Sequence, residues 1–255
     1  MTVLPDAFLK APIAHRALHD LSAGRPENSL SAIRAALAAG YGIEIDLQLS
    51  SDGQAMVFHD YDLGRLTIEG GPIRKRSAME LARIPLKGAR DTVRALPEVL
   101  ELVAGQVPLL IEIKDQDGAM GGNVGRLEQA TAEALAGYDG PVAVMSFNPH
   151  SMLKMAALAP NVPRGLTTCS YSPEDWPLLP AGTLDRLRAI PDYEHVGASF
   201  ISHEARDLNR PRIADLATRG AAILCWTIRT PEQEAQARKM ARNITFEGYL
   251  PAIPS

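Results

Sequence analysis

Cysteine is scarce: 255 residues contain only Cys169 and Cys225. The two are far apart and show no metal-type spacing. Each lies in or beside an apolar run, which reads as a buried, reduced thiol. So few cysteines fit a reducing compartment. An excess of positive charge is also missing, with 26 basic against 30 acidic residues and a net charge of −4. Nucleic acid and anionic membrane both need concentrated basic surface, so neither is an expected partner. A local basic pocket for one phosphate is still allowed. No run reaches the roughly 18 apolar residues that span a bilayer. The opening "MTVLPDAFLKAPIAHR" has no charged stretch leading into an apolar one, so no signal peptide is expected. The expectation is a soluble, cytoplasmic chain with no stable membrane association and an undetermined oligomeric state. "GAMGG" (118–122) lacks the Lys-Ser/Thr of a nucleotide loop, and Ser146 sits in no nucleophile-elbow pattern. No repeat or low-complexity tract is visible.

What is present is apolar residue, 46% of the chain, enough for a sizeable core. Short apolar runs alternate with longer amphipathic ones. Strands are expected at 11–15, 43–49, 108–113, 141–146, 164–168, 196–201, 222–228 and 243–246. Helical periods fall between most of them, at 28–40, 95–104, 124–136, 149–158, 181–189, 210–219 and 231–241. Such alternation means a parallel sheet with helices outside, and eight strands predict a closed (β/α)₈ TIM barrel. Residues 1–255 then form a single domain. "IEIDLQL" and "AMVFH" break the rule. Too few residues separate them for a parallel crossover, so they must form a hairpin arm after the second strand. Residues 61–94 have no clean period and read as a small loop and helix insertion.

That hairpin carries the chemistry. Strand side chains alternate, so Glu44 and Asp46 share a face. A turn centred near Asp52-Gly53 pairs residues whose numbers sum to about 105 and returns His59 towards Asp46. Glu112, in "LLIEIK", lies on a strand expected to neighbour theirs. Adjacent carboxylates repel unless a cation compensates. A buried lysine or arginine would serve, and so would one hard divalent ion. His15-Arg16 closes the first strand, at the end where barrel active sites lie. Histidine moves protons near neutral pH, and arginine matches phosphate oxygens. Lys114 shares a face with Glu112. Taken singly, His15 reads more safely as a rim histidine and Arg16 as a surface ion-pair partner. His19, His150, His195 and His203 read as structural or solvated.

Seven segments occur in an order that resembles the glycerophosphodiester phosphodiesterase family. They are "AHR" (14–16), "PENS" (26–29), "IEIDLQLSSDGQAMVFHD" (43–60), "LPEVLEL" (96–102), "LLIEIK" (109–114), "SFNP" (146–149) and "WTIRTPEQ" (226–233). The resemblance implies a metal-dependent enzyme that hydrolyses glycerophosphodiesters to an alcohol and glycerol 3-phosphate. It implies His15 and His59 as the acid/base pair, and Glu44, Asp46 and Glu112 as ligands of one divalent cation, Mg²⁺ or Ca²⁺. Arg16 and Lys114 would hold phosphate oxygens, Glu27 would support the substrate site, and Phe147 and Trp226 would line the alcohol pocket. A lysophospholipase D-like activity and a non-catalytic phosphate-ester binder are the alternatives. Three places depart from the family pattern: Ala17 replaces the usual glycine, Arg229 the usual asparagine, and "ITFEGYLP" the usual "IITD-x-P". All three avoid the expected carboxylates and histidines, so they bear on the alcohol group rather than the reaction.

Overall fold

The computed structural model describes residues 2–254. Ten strands occur: β1 (Ile13–Ala14), β2 (Gly42–Leu49), β3 (Ala55–Val57), β4 (Arg94–Ala95), β5 (Leu109–Ile113), β6 (Val142–Ser146), β7 (Arg164–Thr168), β8 (Phe200–Glu204), β9 (Ala222–Ile228) and β10 (Asn243–Phe246). Eight are parallel neighbours in the order β1-β10-β9-β8-β7-β6-β5-β2, and a β1–β2 pairing closes the ring. This is the TIM barrel, with β3 and β4 as two additional strands. The α-helices are α1 (Ala7–Lys10), α2 (Leu30–Ala39), α3 (Ala78–Leu81), α4 (Leu96–Val103), α5 (Arg126–Leu135), α6 (Pro149–Leu158), α7 (Ala181–Ala189), α8 (Pro211–Thr218) and α9 (Pro231–Ala237).

Local chemistry sets the helix bounds. Ser29 accepts from Ala32 N–H and starts α2, and Gly40 ends it in the left-handed region at φ 75°. Asn148 and Thr230 cap α6 and α9, each followed by proline at the first helical position. β8 begins at Phe200 and runs to Glu204, later than the expected 196–201. Gly197 turns at φ +64° while Val196 N–H bonds Asp192 O, which delays extended pairing.

The base of the barrel is sealed by a segment that the helical period did not reveal. Leu4 and Phe8, the latter on α1, pack with Ile13, Leu110, Phe200 and Leu224. Asn243 Nδ2 donates to Phe8 O and Ala11 O, each at 2.7 Å, and ties the plug to β10. Phe200 fills the interior against Gly165, where a Cβ would lie 2.4 Å from its ring. The 61–94 excursion also has an apolar cluster: Leu63, Ile73, Leu81, Ile84, Leu86 and Val93 pack on Met56 and Phe58 of the hairpin arm. Both cysteines are buried and free, their thiols pushed up to about 12 chiefly by burial.

Candidate active site

Each barrel strand sends alternate residues inward, and those near the C-terminal ends build the mouth. His15 extends β1, its N–H bonding Phe246 O at 2.9 Å. Arg16 and Ala17 then both adopt left-handed backbone, φ 51° and 64°. This turn aims Arg16 N–H at Glu44 Oε2 (2.8 Å) and Ala17 N–H at Glu44 O (2.9 Å). A left-handed position favours glycine, so Ala17 occupies the family's glycine position at a conformational cost.

The hairpin pairs Leu47 with Val57 and Gln48 with Met56, so partner numbers sum to 104 rather than 105. Phe58, not His59, opposes Asp46 and donates its N–H to Asp46 O at 2.9 Å. His59 lies one residue past the ladder and still reaches the mouth.

Asp46 is in register with Glu112 across β2 and β5. Glu44, Asp46 and Glu112 are buried, and each offers an oxygen within 4.8 Å of the others. Lys114 Nζ bridges Glu112 Oε1 (2.6 Å) and Asp46 Oδ1 (2.8 Å). Both arrangements open from sequence therefore bear on this cluster: a buried lysine pairs two of the acids, yet Glu44 has no side-chain cation of its own among the described residues. Burial, with Asp46 and Glu112 alongside, pushes the Glu44 carboxyl well above its usual range. Burial also acts to raise Asp46, but Lys114, His59 and Arg16 outweigh it and hold that carboxyl well below. A compact, all-oxygen, under-compensated donor set fits a hard divalent cation.

Asn28, in left-handed backbone at φ 57°, clamps Asp46: its Nδ2 donates to Asp46 Oδ2 (2.9 Å) and its Oδ1 accepts from Asp46 N–H (3.2 Å). Glu27 does not line the cavity. It bonds Arg16 Nη1 (2.8 Å) and both Nη atoms of Arg65 (2.8 and 2.7 Å), so it orients Arg16.

The two histidines have like surroundings. His15 Nδ1 bonds Glu247 Oε2 at 2.7 Å, and His59 Nδ1 bonds Asp60 Oδ1 at 2.6 Å. A carboxylate acceptor assigns the proton to Nδ1. Neither Nε2 has a hydrogen-bond partner among the described residues. Burial lowers the His15 pKa, and the Glu247 bond partly offsets this. Glu247 itself is held well below the carboxylate range by His15 and His19. Glu247 lies in "ITFEGYLP" and binds Arg229 Nε at 2.7 Å. Two departures from the family pattern thus meet on His15, correcting the expectation that they avoid the histidines. His19, read as solvated or structural, approaches Glu247 at 3.6 Å.

A cavity of about 190 Å³ joins these groups, lined by His15, Arg16, Glu44, His59, Glu112 and Lys114 and by Phe147 and Trp226. Its lining also includes the buried Thr167, Ser202 and Thr245, whose hydroxyls find no hydrogen-bond partner among the described residues, nor does Arg16 Nε, 3.6 Å from Asp46 Oδ2. Between Ile244 and Phe246 of β10, β9 advances from Cys225 to Ile228, a bulge that brings both Trp226 and Thr227 to the cavity.

No helix among the described residues is long and apolar enough to cross a membrane. Comparison with known proteins places this mouth in context. A glycerophosphodiester phosphodiesterase of Caldanaerobacter subterraneus is 30% identical over 173 residues, 64% of this chain and 69% of its own. The structure of an Oleispira antarctica phosphodiesterase in complex with the product sn-glycerol-3-phosphate superposes with TM-score 0.76 at 25% identity, covering 94% of each chain. A glycerophosphodiester phosphodiesterase from Thermotoga maritima shares the fold, with TM-score 0.70 at 21% identity over 92% of this chain and 94% of its own. The model of the glycerophosphoryl diester phosphodiesterase family matches residues 15–244, from His15 to β10. With that match enclosing the carboxylate cluster and both histidines, the chain belongs to the glycerophosphoryl diester phosphodiesterase family.

Proposed function

We propose that this chain hydrolyses glycerophosphodiesters to an alcohol and sn-glycerol 3-phosphate. One observation carries the reading. Two imidazoles, each with Nδ1 on a carboxylate and Nε2 unbonded, border a cavity also lined by Glu44 and Glu112, which cluster with Asp46, and by an arginine and a lysine. The product bound in the Oleispira relative supports the same substrate class.

One histidine Nε2 takes the proton of the attacking glycerol hydroxyl as the new P–O bond forms. The other, protonated on both nitrogens, gives its Nε2 proton to the leaving oxygen as the old P–O bond breaks; water then opens the cyclic phosphate with the two roles exchanged, giving glycerol 3-phosphate. Arg16 Nε is buried without a hydrogen-bond partner among the described residues, 3.6 Å from Asp46 Oδ2, and Lys114 has one N–H beyond those given to Glu112 and Asp46. These donors bind non-bridging oxygens and oppose the charge that develops on them. Glu44, Asp46 and Glu112 would hold a divalent cation, Mg²⁺ or Ca²⁺, which supplies Lewis-acid neutralisation of the phosphate when bound. A pure binding protein needs cationic groups but not a matched pair of imidazoles, which favours catalysis over binding.

The test is release of glycerol 3-phosphate from glycerophosphocholine with Mg²⁺ or Ca²⁺, repeated with a chelator. Turnover that stops on chelation and returns with metal supports the reading; no turnover under any metal condition overturns it.

A further inference from the structure

A second hollow of about 540 Å³ opens from the cavity between the insertion and the segments following β5, β6 and β7. It shares His59, Glu112, Lys114 and Phe147 with the central cavity. Two of its carboxylates are compensated: Asp60 by Arg65, and Glu112 by Lys114. Two are not. Asp62 accepts only from Gly64 N–H (2.8 Å) and Gly71 N–H (3.1 Å). Asp115, 6% exposed, accepts from the Asn148 amide (2.7 Å) and Met120 N–H (3.4 Å). Neither has a lysine, arginine or histidine within 4.0 Å among the described residues. Neutral donors fix these groups in place and leave their negative charge unmatched. Three aromatic side chains line the same hollow: Tyr61, 49% exposed, and the half-buried Phe147 and Trp176, the last two with ring centroids 5.2 Å apart.

We infer that this hollow receives the leaving alcohol and selects a positively charged one, an amino or quaternary ammonium alcohol. The inference rests on the phosphodiesterase reading above. Orientation follows from the contrast between the two spaces. The central cavity presents the unpartnered hydroxyls of Thr167, Ser202 and Thr245, which suit the glycerol end. The outer hollow joins aromatic faces to uncompensated carboxylates. An alkylammonium group is attracted to both, through the ring quadrupole and through charge, without giving up strong hydration. A neutral polyol gains little from aromatic walls. An acyl chain would desolvate Asp62 and Asp115 with no return.

The experiment compares kcat/KM for glycerophosphocholine, glycerophosphoethanolamine, glycerophosphoglycerol and lysophosphatidylcholine. Wild type is expected to favour the two cationic glycerophosphodiesters over glycerophosphoglycerol by about tenfold or more. Asp62→Asn keeps one of the two acceptor oxygens, enough for Gly64 N–H, and removes the charge; Tyr61→Leu removes an exposed ring. Each should shrink the cationic-to-neutral ratio several-fold, mostly through KM. Equal kcat/KM for choline, ethanolamine and glycerol esters would overturn the cationic subsite alone. No hydrolysis of any of the four would overturn the phosphodiesterase reading and this inference with it.

Discussion

His15 and Glu247 lie 232 positions apart in the chain and meet through a 2.7 Å bond between Nδ1 and Oε2. The meeting depends on the sheet: Glu247 N–H continues the ladder to Ile228 O at 3.0 Å, while His15 N–H continues the ladder to Phe246 O. The other groups influencing these two are Arg16 and Asp46 on the His15 side and His19 and Arg229 on the Glu247 side. Glu247→Gln removes a carboxylate that raises the imidazole's pKa. Burial and Arg16, which lower it, then act with less opposition. Whichever limb of the pH profile His15 governs should move to lower pH, and kcat/KM should fall about 10–100-fold, the scale for losing a partner that orients a functional histidine. An unmoved profile would confine Glu247 to packing.

His15→Ala and His59→Ala should each reduce turnover by about 10²–10⁴-fold. Both side chains line the cavity and belong to none of the apolar clusters, so melting temperature should change little. Turnover and a thermal melt on the same preparations check both halves. Near-normal turnover in either variant removes that residue from proton transfer.

Lys114 pairs with Asp46 and Glu112 and Arg16 with Asp46, but neither pairs with Glu44, so the metal-free protein carries unrelieved repulsion there. Glu44→Gln should raise the melting temperature of chelated protein. In wild type, Mg²⁺ or Ca²⁺ at a hundred times its Kd should add about 2.7 kcal/mol of stability. The variant should lose most of that gain. Parallel melts with chelator and with metal read both effects, and a metal-induced shift of equal size in the two proteins would move the ion elsewhere.

Gly165→Ala places a methyl carbon 2.4 Å from the Phe200 ring. Phe200 is fully buried and packs with the base plug, so the ring has little room to yield. Such overpacking costs about 1–3 kcal/mol, to be read from denaturant unfolding.

The barrel was legible because its strands are continuous apolar runs and its helices have long, capped periods. Glu44 and Asp46 were legible because spacing of two on a buried strand leaves their face no choice. The hairpin register missed by one because Ser50 N–H closes on Gln54 O, centring the turn on Asp52. Other parts have no pattern to read. Helix α1 is four residues long, too short for a period. Leu63, Ile73, Leu81, Ile84, Leu86 and Val93 gather through irregular turns. Thr167, Ser202 and Thr245 look like ordinary strand residues until a closed barrel aims them inward. Glu247 had a usable signal: continuing the inward alternation of Asn243 and Thr245 by one step reaches it.

β1 contains two residues, with β2 on one side and β10 on the other. A nascent polypeptide halted before residue 243 therefore has an open seam beside its first strand, and Asn243 is not there to fasten Phe8 and Ala11 across the bottom. His15 depends for its proton-bearing geometry on a residue 232 positions further along. The strand that zips the cylinder shut is thus continuous with the residue that fixes the His15 imidazole.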